Sequence, residues 1–279
     1  MRYYEPQITK MTTSRTVYLG IACITCFILG VLAGGYVIDD YSVHNHDDSV
    51  TQVSTIDAIL AGLYDGVISY GELKSYGTFG IGTFEGLDGE MVALDGNFYQ
   101  IKADGAVYKV DDNMTAPFAC VTFFENDYEI PLQVSMDYTQ FQDYLDDTIR
   151  EKNIFHAVKI KGVFYYVKAR SVPRQEKPYP PLVEVTANQT IFEFNEVSGT
   201  IVGFYCPDYV EGLNVPGYHL HFITADKTAG GHVLEFQVKD AQLSVDFSSE
   251  LRLILPPTEE FNRLDLTGSK KEEMEEAEK

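Results

Sequence analysis

The 279-residue chain carries 42 acidic and 21 basic residues, for a formal net charge of −21 at pH 7. This balance excludes recognition of a nucleic-acid backbone, which needs clustered Lys and Arg, and an anionic small molecule would require a locally basic pocket. The length supports one large or two small domains with a full core.

Residues 16–38 contain no charged side chain and are long enough to span a bilayer as a helix. Arg2, Lys10 and Arg15 precede this run, and Asp39, Asp40, Asp47 and Asp48 follow it. The positive-inside rule therefore leaves residues 1–15 in the cytoplasm and sends the rest of the chain outside. An uncleaved anchor is the expectation, because the run exceeds the apolar core of roughly 7 to 15 residues in a signal peptide. Cleavage near Ala33-Gly34-Gly35 would instead give a secreted protein. Residues 39–53, including His44 and His46, read as a polar stalk. Cys23 and Cys26 fall in the apolar run, so only Cys120 and Cys206 remain, enough for one disulfide at most. Asn113-Met114-Thr115 and Asn188-Gln189-Thr190 fit the glycosylation sequon, which matters only in a eukaryotic secretory pathway.

From residue 54 the pattern is that of an α+β chain, predominantly β. Ser54 and Thr55 cap a helix whose apolar positions are Ile56, Ile59, Leu60, Leu63 and Tyr64. Strands at 91–94, 97–101 and 106–110 are separated by Asp95-Gly96 and Asp104-Gly105, the signature of a meander. Phe141, Tyr144, Leu145 and Thr148 mark a second helix. Two strands follow at 158–160 and 163–167 around a turn at Lys161-Gly162, and then an irregular proline-rich loop at 173–181. Strands at 191–194, 199–205, 218–223, 232–238 and 251–255 complete the pattern, with no helix before the charged tail. The expected architecture is an N-terminal β-rich unit with helices over 54–181 and a barrel-like, metal-binding β unit over 182–279. One membrane helix precedes both.

His219 and His221 alternate on one strand, so they share a face, and His232 would join them from the next strand. Between the two strands lies a loop that ends in Gly230-Gly231, read as turn glycines. Three neutral imidazoles suit zinc, and also copper, iron and nickel, with coordination positions left for a substrate. A β-rich protein carrying these histidines by chance is the bland alternative. His156 reads as an ordinary strand histidine. The tail from Lys270 to Glu278, with five glutamates, reads by itself as a solvated charged helix.

Three blocks then point to one family: Gly217-Tyr218-His219-Leu220-His221-Phe222-Ile223-Thr224, Gly230-Gly231-His232, and Arg170-Ser171-Val172-Pro173-Arg174-Gln175-Glu176-Lys177-Pro178-Tyr179-Pro180. Together they resemble α-acetolactate decarboxylase. The resemblance runs from about Thr55 to the C-terminus and includes Gly82-Thr83-Phe84-Glu85-Gly86-Leu87-Asp88-Gly89-Glu90. It implies conversion of 2-acetolactate to acetoin and carbon dioxide by a Zn2+ ion, or another divalent metal, on His219, His221 and His232. It also implies catalytic roles for Glu90, Arg170 and Glu278, with Thr83 and Val172 against the substrate. Glu275 or Glu276 could take the place of Glu278.

The chemistry agrees with that assignment. Decarboxylation of a 2-hydroxy-3-oxo acid leaves an enediolate, which a metal chelated by the ketone and hydroxyl oxygens stabilises. A carboxyl group or guanidinium beside the metal would deliver or orient the proton, and the Arg170 fork suits a substrate carboxylate. Without the resemblance, Glu90 would read as a solvated turn residue, Arg170 as a surface strand residue and Thr83 as a β-branched strand residue. Two other classes remain. A cupin-like dioxygenase or isomerase also uses His-x-His but commonly adds a glutamate that residues 222–227 lack, and a membrane-anchored binding module would need no metal. A homodimer stays open.

Overall fold

The computed structural model describes residues 48–278. The tail 1–15, the apolar run 16–38, His44 and His46 lie outside the described residues. Among the described residues no helix is long and apolar enough to cross a membrane.

In chain order the strands are β1 (Ser49–Val53), β2 (Ile68–Ser69), β3 (Phe79–Thr83), β4 (Glu90–Leu94), β5 (Asn97–Ile101), β6 (Val107–Lys109) and β7 (Thr115–Ala116). They continue with β8 (Ala119–Thr122), β9 (Tyr128–Leu132), β10 (Phe155–Ser171), β11 (Thr190–Cys206), β12 (Gly217–Thr224), β13 (Gly230–Ser248) and β14 (Glu250–Ile254). The α-helices are short: α1 (Ile56–Leu60), α2 (Tyr70–Leu73), α3 (Tyr138–Thr148), α4 (Leu182–Thr186), α5 (Glu259–Arg263) and α6 (Lys271–Ala277).

A seven-stranded sheet runs β14-β1-β8-β3-β4-β5-β6. The second sheet runs β10-β11-β12-β13-β9, and β13 also pairs with β10, so four long strands close into a ring. Period-two alternation on β12 sorts its residues between two cores. Leu220 and Phe222 join Ile160, Phe164 and Leu243 in one, while Ile223 packs with Val202, Phe204, Ile81 and Val92 between the sheets. Each such Leu, Ile or Phe contributes about 1.5–3 kcal/mol on burial, which is why register is held firmly here. His219 and His221 take the same parity as Ile223 and face the first sheet, where the backbone of Met91 on β4 meets His221.

Several expectations change in the folded chain. The meander forms as expected, but the strands predicted on either side of Lys161-Gly162 are one strand, β10. Gly162 is there for close packing, since a Cβ would stand 2.2 Å from the Asp240 carbonyl oxygen on β13. Likewise Gly230 and Gly231 begin β13 rather than form the turn. A Cβ on Gly230 would meet the Phe222 carbonyl oxygen at 2.1 Å, and one on Gly231 the Arg170 carbonyl oxygen at 2.4 Å. The turn is made instead by residues 225–229, with Lys227 at φ 58° and Thr224 N–H donating to the Ala229 oxygen at 2.9 Å.

Helix α1 is capped by Thr55 as expected but stops at Leu60, where Ala61 and the left-handed Gly62 (φ 87°) end it. Helices α4 and α5 had no sequence signal, being single turns whose five residues hold too little periodicity. The boundary at residue 181 does not separate the sheets. β1, expected in the stalk, pairs in parallel with β14 from the far end of the chain, while β9 and β10 from the first half join the second sheet. Cys120 and Cys206 are buried free thiols.

Candidate metal centre

The strand register assembles the site. His221 on β12 lies opposite His232 on β13, and His232 lies opposite Arg170 on β10, so three neighbouring strands align these residues. His219 stands two residues before His221 on the same face. The three imidazole centroids are 5.3, 5.0 and 5.3 Å apart, and one ligand nitrogen from each lies within 4.8 Å of the others. All three side chains are buried.

Their chemistry fits a divalent metal. His221 Nδ1 lies 2.8 Å from the Met91 carbonyl oxygen, which can only accept, so Nδ1 carries the proton and Nε2 keeps its lone pair. His221 Nε2 and His219 Nδ1 are buried without a partner, an arrangement that costs stability unless a ligand fills it. Burial first, and then the Arg170 charge, push His219 down to about 3. Burial also holds His221 and His232 well below the ordinary histidine value. All three are therefore neutral near pH 7, as metal ligation requires.

Two carboxylates and one guanidinium flank the histidines. Glu90, the first residue of β4, places Oε2 3.6 Å from His221 Nε2 and Oε1 3.8 Å from Arg170 Nη1. It is positioned by Gly89 at φ 93°, where a Cβ would sit 2.3 Å from the Ile101 oxygen, and Thr83 Oγ1 donates to the Gly89 carbonyl at 2.8 Å. Glu278 follows α6 and brings Oε2 to 3.4 Å from His232 Nε2. Burial raises both carboxyl groups to about 7 against the opposing pull of Arg170. Arg170 is itself buried; Nη2 donates to the Ala277 carbonyl at 3.0 Å while Nε has no partner.

A cavity of about 50 Å³ brings Thr83, Glu90, Arg170, Val172 and Glu278 together with the three histidines. His232 and Glu278 also border an outer groove of about 520 Å³, along with Tyr138, Tyr218 and Met274. Of the tail glutamates, Glu278 reaches the inner cavity, Glu275 reaches only the outer groove and Glu276 lines neither. His156 lies apart, stacked on Tyr205 with Nε2 2.8 Å from the Glu151 oxygen. Sequence reasoning missed the Met91 carbonyl, which has no side-chain signal, and the cavity-lining Ile59 and Leu182 of the short helices.

A sequence profile described as alpha-acetolactate decarboxylase matches residues 50–268. The chain belongs to the alpha-acetolactate decarboxylase family. It is 51% identical over 236 residues to the alpha-acetolactate decarboxylase of Methanosarcina mazei, covering 85% of this chain and 82% of that protein. It is 45% identical over 234 residues to that of Methylococcus capsulatus, covering 84% and 90%. The crystal structure of alpha-acetolactate decarboxylase from Bacillus subtilis strain 168 superposes with a TM-score of 0.81 at 38% identity, over 82% of this chain and 99% of that one. The profile match to the alpha-acetolactate decarboxylase family ends before α6, so Glu278 reaches the centre from beyond the matched residues.

Proposed function

We propose that this chain decarboxylates 2-acetolactate to acetoin and carbon dioxide, with His219, His221 and His232 holding a zinc ion. The observation that carries this reading is a set of three buried, neutral imidazoles in one cavity with Arg170, Glu90 and Glu278. Membership of the alpha-acetolactate decarboxylase family supplies the substrate.

Loss of carbon dioxide leaves an electron pair next to the ketone. A divalent cation supplies Lewis-acid stabilisation of that charge. Arg170 presents a planar fork to the substrate carboxylate until it departs, which reconciles an anionic substrate with an acidic protein. Glu90, between Arg170 and His221, holds that fork and accepts a hydrogen bond from the substrate hydroxyl. Glu278 delivers a proton to the carbon that lost carbon dioxide and recovers one from solvent, because it borders both the inner cavity and the outer groove. Thr83 and Val172 border the substrate.

The uncharged run 16–38, with basic residues before it and acidic residues after, supports a membrane anchor that places the catalytic unit outside the cytoplasm. Protease digestion of intact cells would degrade the catalytic unit if so, and its protection would reject that placement.

The deciding experiment incubates the full-length, zinc-loaded protein with 2-acetolactate and follows acetoin and carbon dioxide, with and without chelator. Acetoin formation that chelation abolishes is expected. Without metal-dependent acetoin the proposed function falls.

A further inference from the structure

In a chain with 42 acidic and 21 basic residues, a lysine normally has a carboxylate at hand. Most described Lys and Arg side chains do, with an oxygen within 4.0 Å. Among the described residues Lys159, Lys161 and Lys227 have none at that distance, and these three meet in one groove of about 610 Å³.

The fold brings them together from distant segments. Lys159 and Lys161 alternate on β10 and so share a face. Lys227 is held at φ 58° in the 225–229 turn, beyond the pairing of His221 with His232. Leu94, at the end of β4, and Asp95 form another side. On β11, Thr200 lies opposite Lys161, and Ser198 is two residues before it. A Cβ on the intervening Gly199 would strike the Phe222 ring in the core, so Ser198 and Thr200 point the other way, into the groove. None of these residues lines the inner cavity or the outer groove at the metal centre.

The groove is left positive. Asp95 is its one lining carboxylate, against three ammonium groups. Asp226, beside Lys227, is engaged by its own turn, where Oδ1 accepts from Thr224 Oγ1 at 2.6 Å and Thr228 Oγ1 at 2.8 Å. Lys159 lies over the Phe124 ring at 4.2 Å and Lys227 faces the Tyr99 ring at 6.0 Å, contacts that hold an ammonium group without neutralising it. Burial lowers Lys227 from its usual value; Asp95 opposes this, and the nearby Lys161 charge adds to it. Like charges sharing a groove repel, and an anion between them turns that repulsion into attraction.

We propose that this groove binds a small dianion, a phosphate group or a dicarboxylate, between Lys159, Lys161 and Lys227, with the Ser198 and Thr200 hydroxyls as further donors. Ammonium groups act as point charges and impose no planar fork, so they suit either shape. The volume is that of a small-molecule site, which leaves room for an organic group on the anion.

The test is titration calorimetry of the full-length, zinc-loaded protein near pH 8, with sodium phosphate and separately with sodium succinate, at constant ionic strength set by sodium chloride. Stoichiometric binding of at least one dianion is expected, and the one that binds identifies the source of the charge. Its Kd should rise at least about tenfold in both Lys161→Gln and Lys227→Gln, the usual worth of a charge-assisted contact. It should not change in Lys239→Gln, which loses the same charge at a surface pair with Glu196. The dianion should also raise the wild-type Tm, and fail to do so in the two groove variants. That shift is read within each protein, so a less stable variant does not mimic lost binding. Acetoin formation plays no part in either readout, and the proposed decarboxylation stands or falls separately. Binding of neither dianion, or binding that either groove substitution leaves intact, overturns the proposal.

Discussion

Arg170 Nη2 donates to the carbonyl oxygen of Ala277 at 3.0 Å, tying the end of β10 in the second sheet to the last turn of α6. The bond holds the chain end so that the next residue, Glu278, stands 3.4 Å from His232. Only Met274 and Ala277 of α6 are buried, so this segment adds little to the core and much to the site.

Glu278→Gln should therefore leave the fold and the bound metal unchanged while kcat falls about 100-fold, the usual contribution of a positioned proton donor. Steady-state kinetics together with metal analysis would check this. A variant that keeps its kcat would exclude Glu278 as the donor.

His221→Ala removes a ligand and leaves the Met91 carbonyl without its donor. Zinc added to the wild-type apoprotein should raise Tm, because a ligand that binds only the native state stabilises it by mass action. In the variant that rise should vanish along with stoichiometric metal. Differential scanning calorimetry with and without zinc measures both.

Arg170→Lys keeps a charge but loses the fork. It should lower kcat/KM by at least about tenfold through a rise in KM as well as a fall in kcat, because one residue both binds the carboxylate and holds the tail through Ala277. A pure kcat effect would argue against carboxylate binding.

Gly230→Ala places a Cβ 2.1 Å from the Phe222 oxygen and 2.8 Å from Ile101 Cδ1. The β12–β13 pairing that sets His221 opposite His232 must then open, so Tm and metal content should fall together. Overpacking of this kind typically costs about 1–3 kcal/mol. An unchanged Tm would mean that the strands can separate freely here.

Asp246, away from the metal centre, is buried with Oδ1 unpartnered, and burial raises its carboxyl to about 7. The native state thus binds this proton more tightly than the unfolded chain, whose value is near 3.8. Stability is lost as pH rises from about 4 through 7, and none of that penalty applies below 4. Asp246→Asn should gain Tm relative to wild type as pH climbs through this window. Parallel melts at pH 4 and pH 8 test the sign, and a constant gap would reject it.

The sequence by itself determined what short-range geometry controls. Period-two alternation placed His219 and His221 on one face, Asp-Gly pairs set the meander, and Thr55 capped α1. The motif around Arg170 and the Gly82–Glu90 segment brought the family into view. The tertiary structure alone decided which distant segments meet: β14 beside β1, β13 closing on β10, Ala277 on Arg170 across 107 positions, and Glu278 rather than Glu275 at the histidines. A strand's alternation shows which side chains share a face but not which strand will pair with it, because pairing is chosen by burial summed over the whole core. For the same reason Gly162, Gly230 and Gly231 look like turn residues in the sequence and prove to be points where backbones press together.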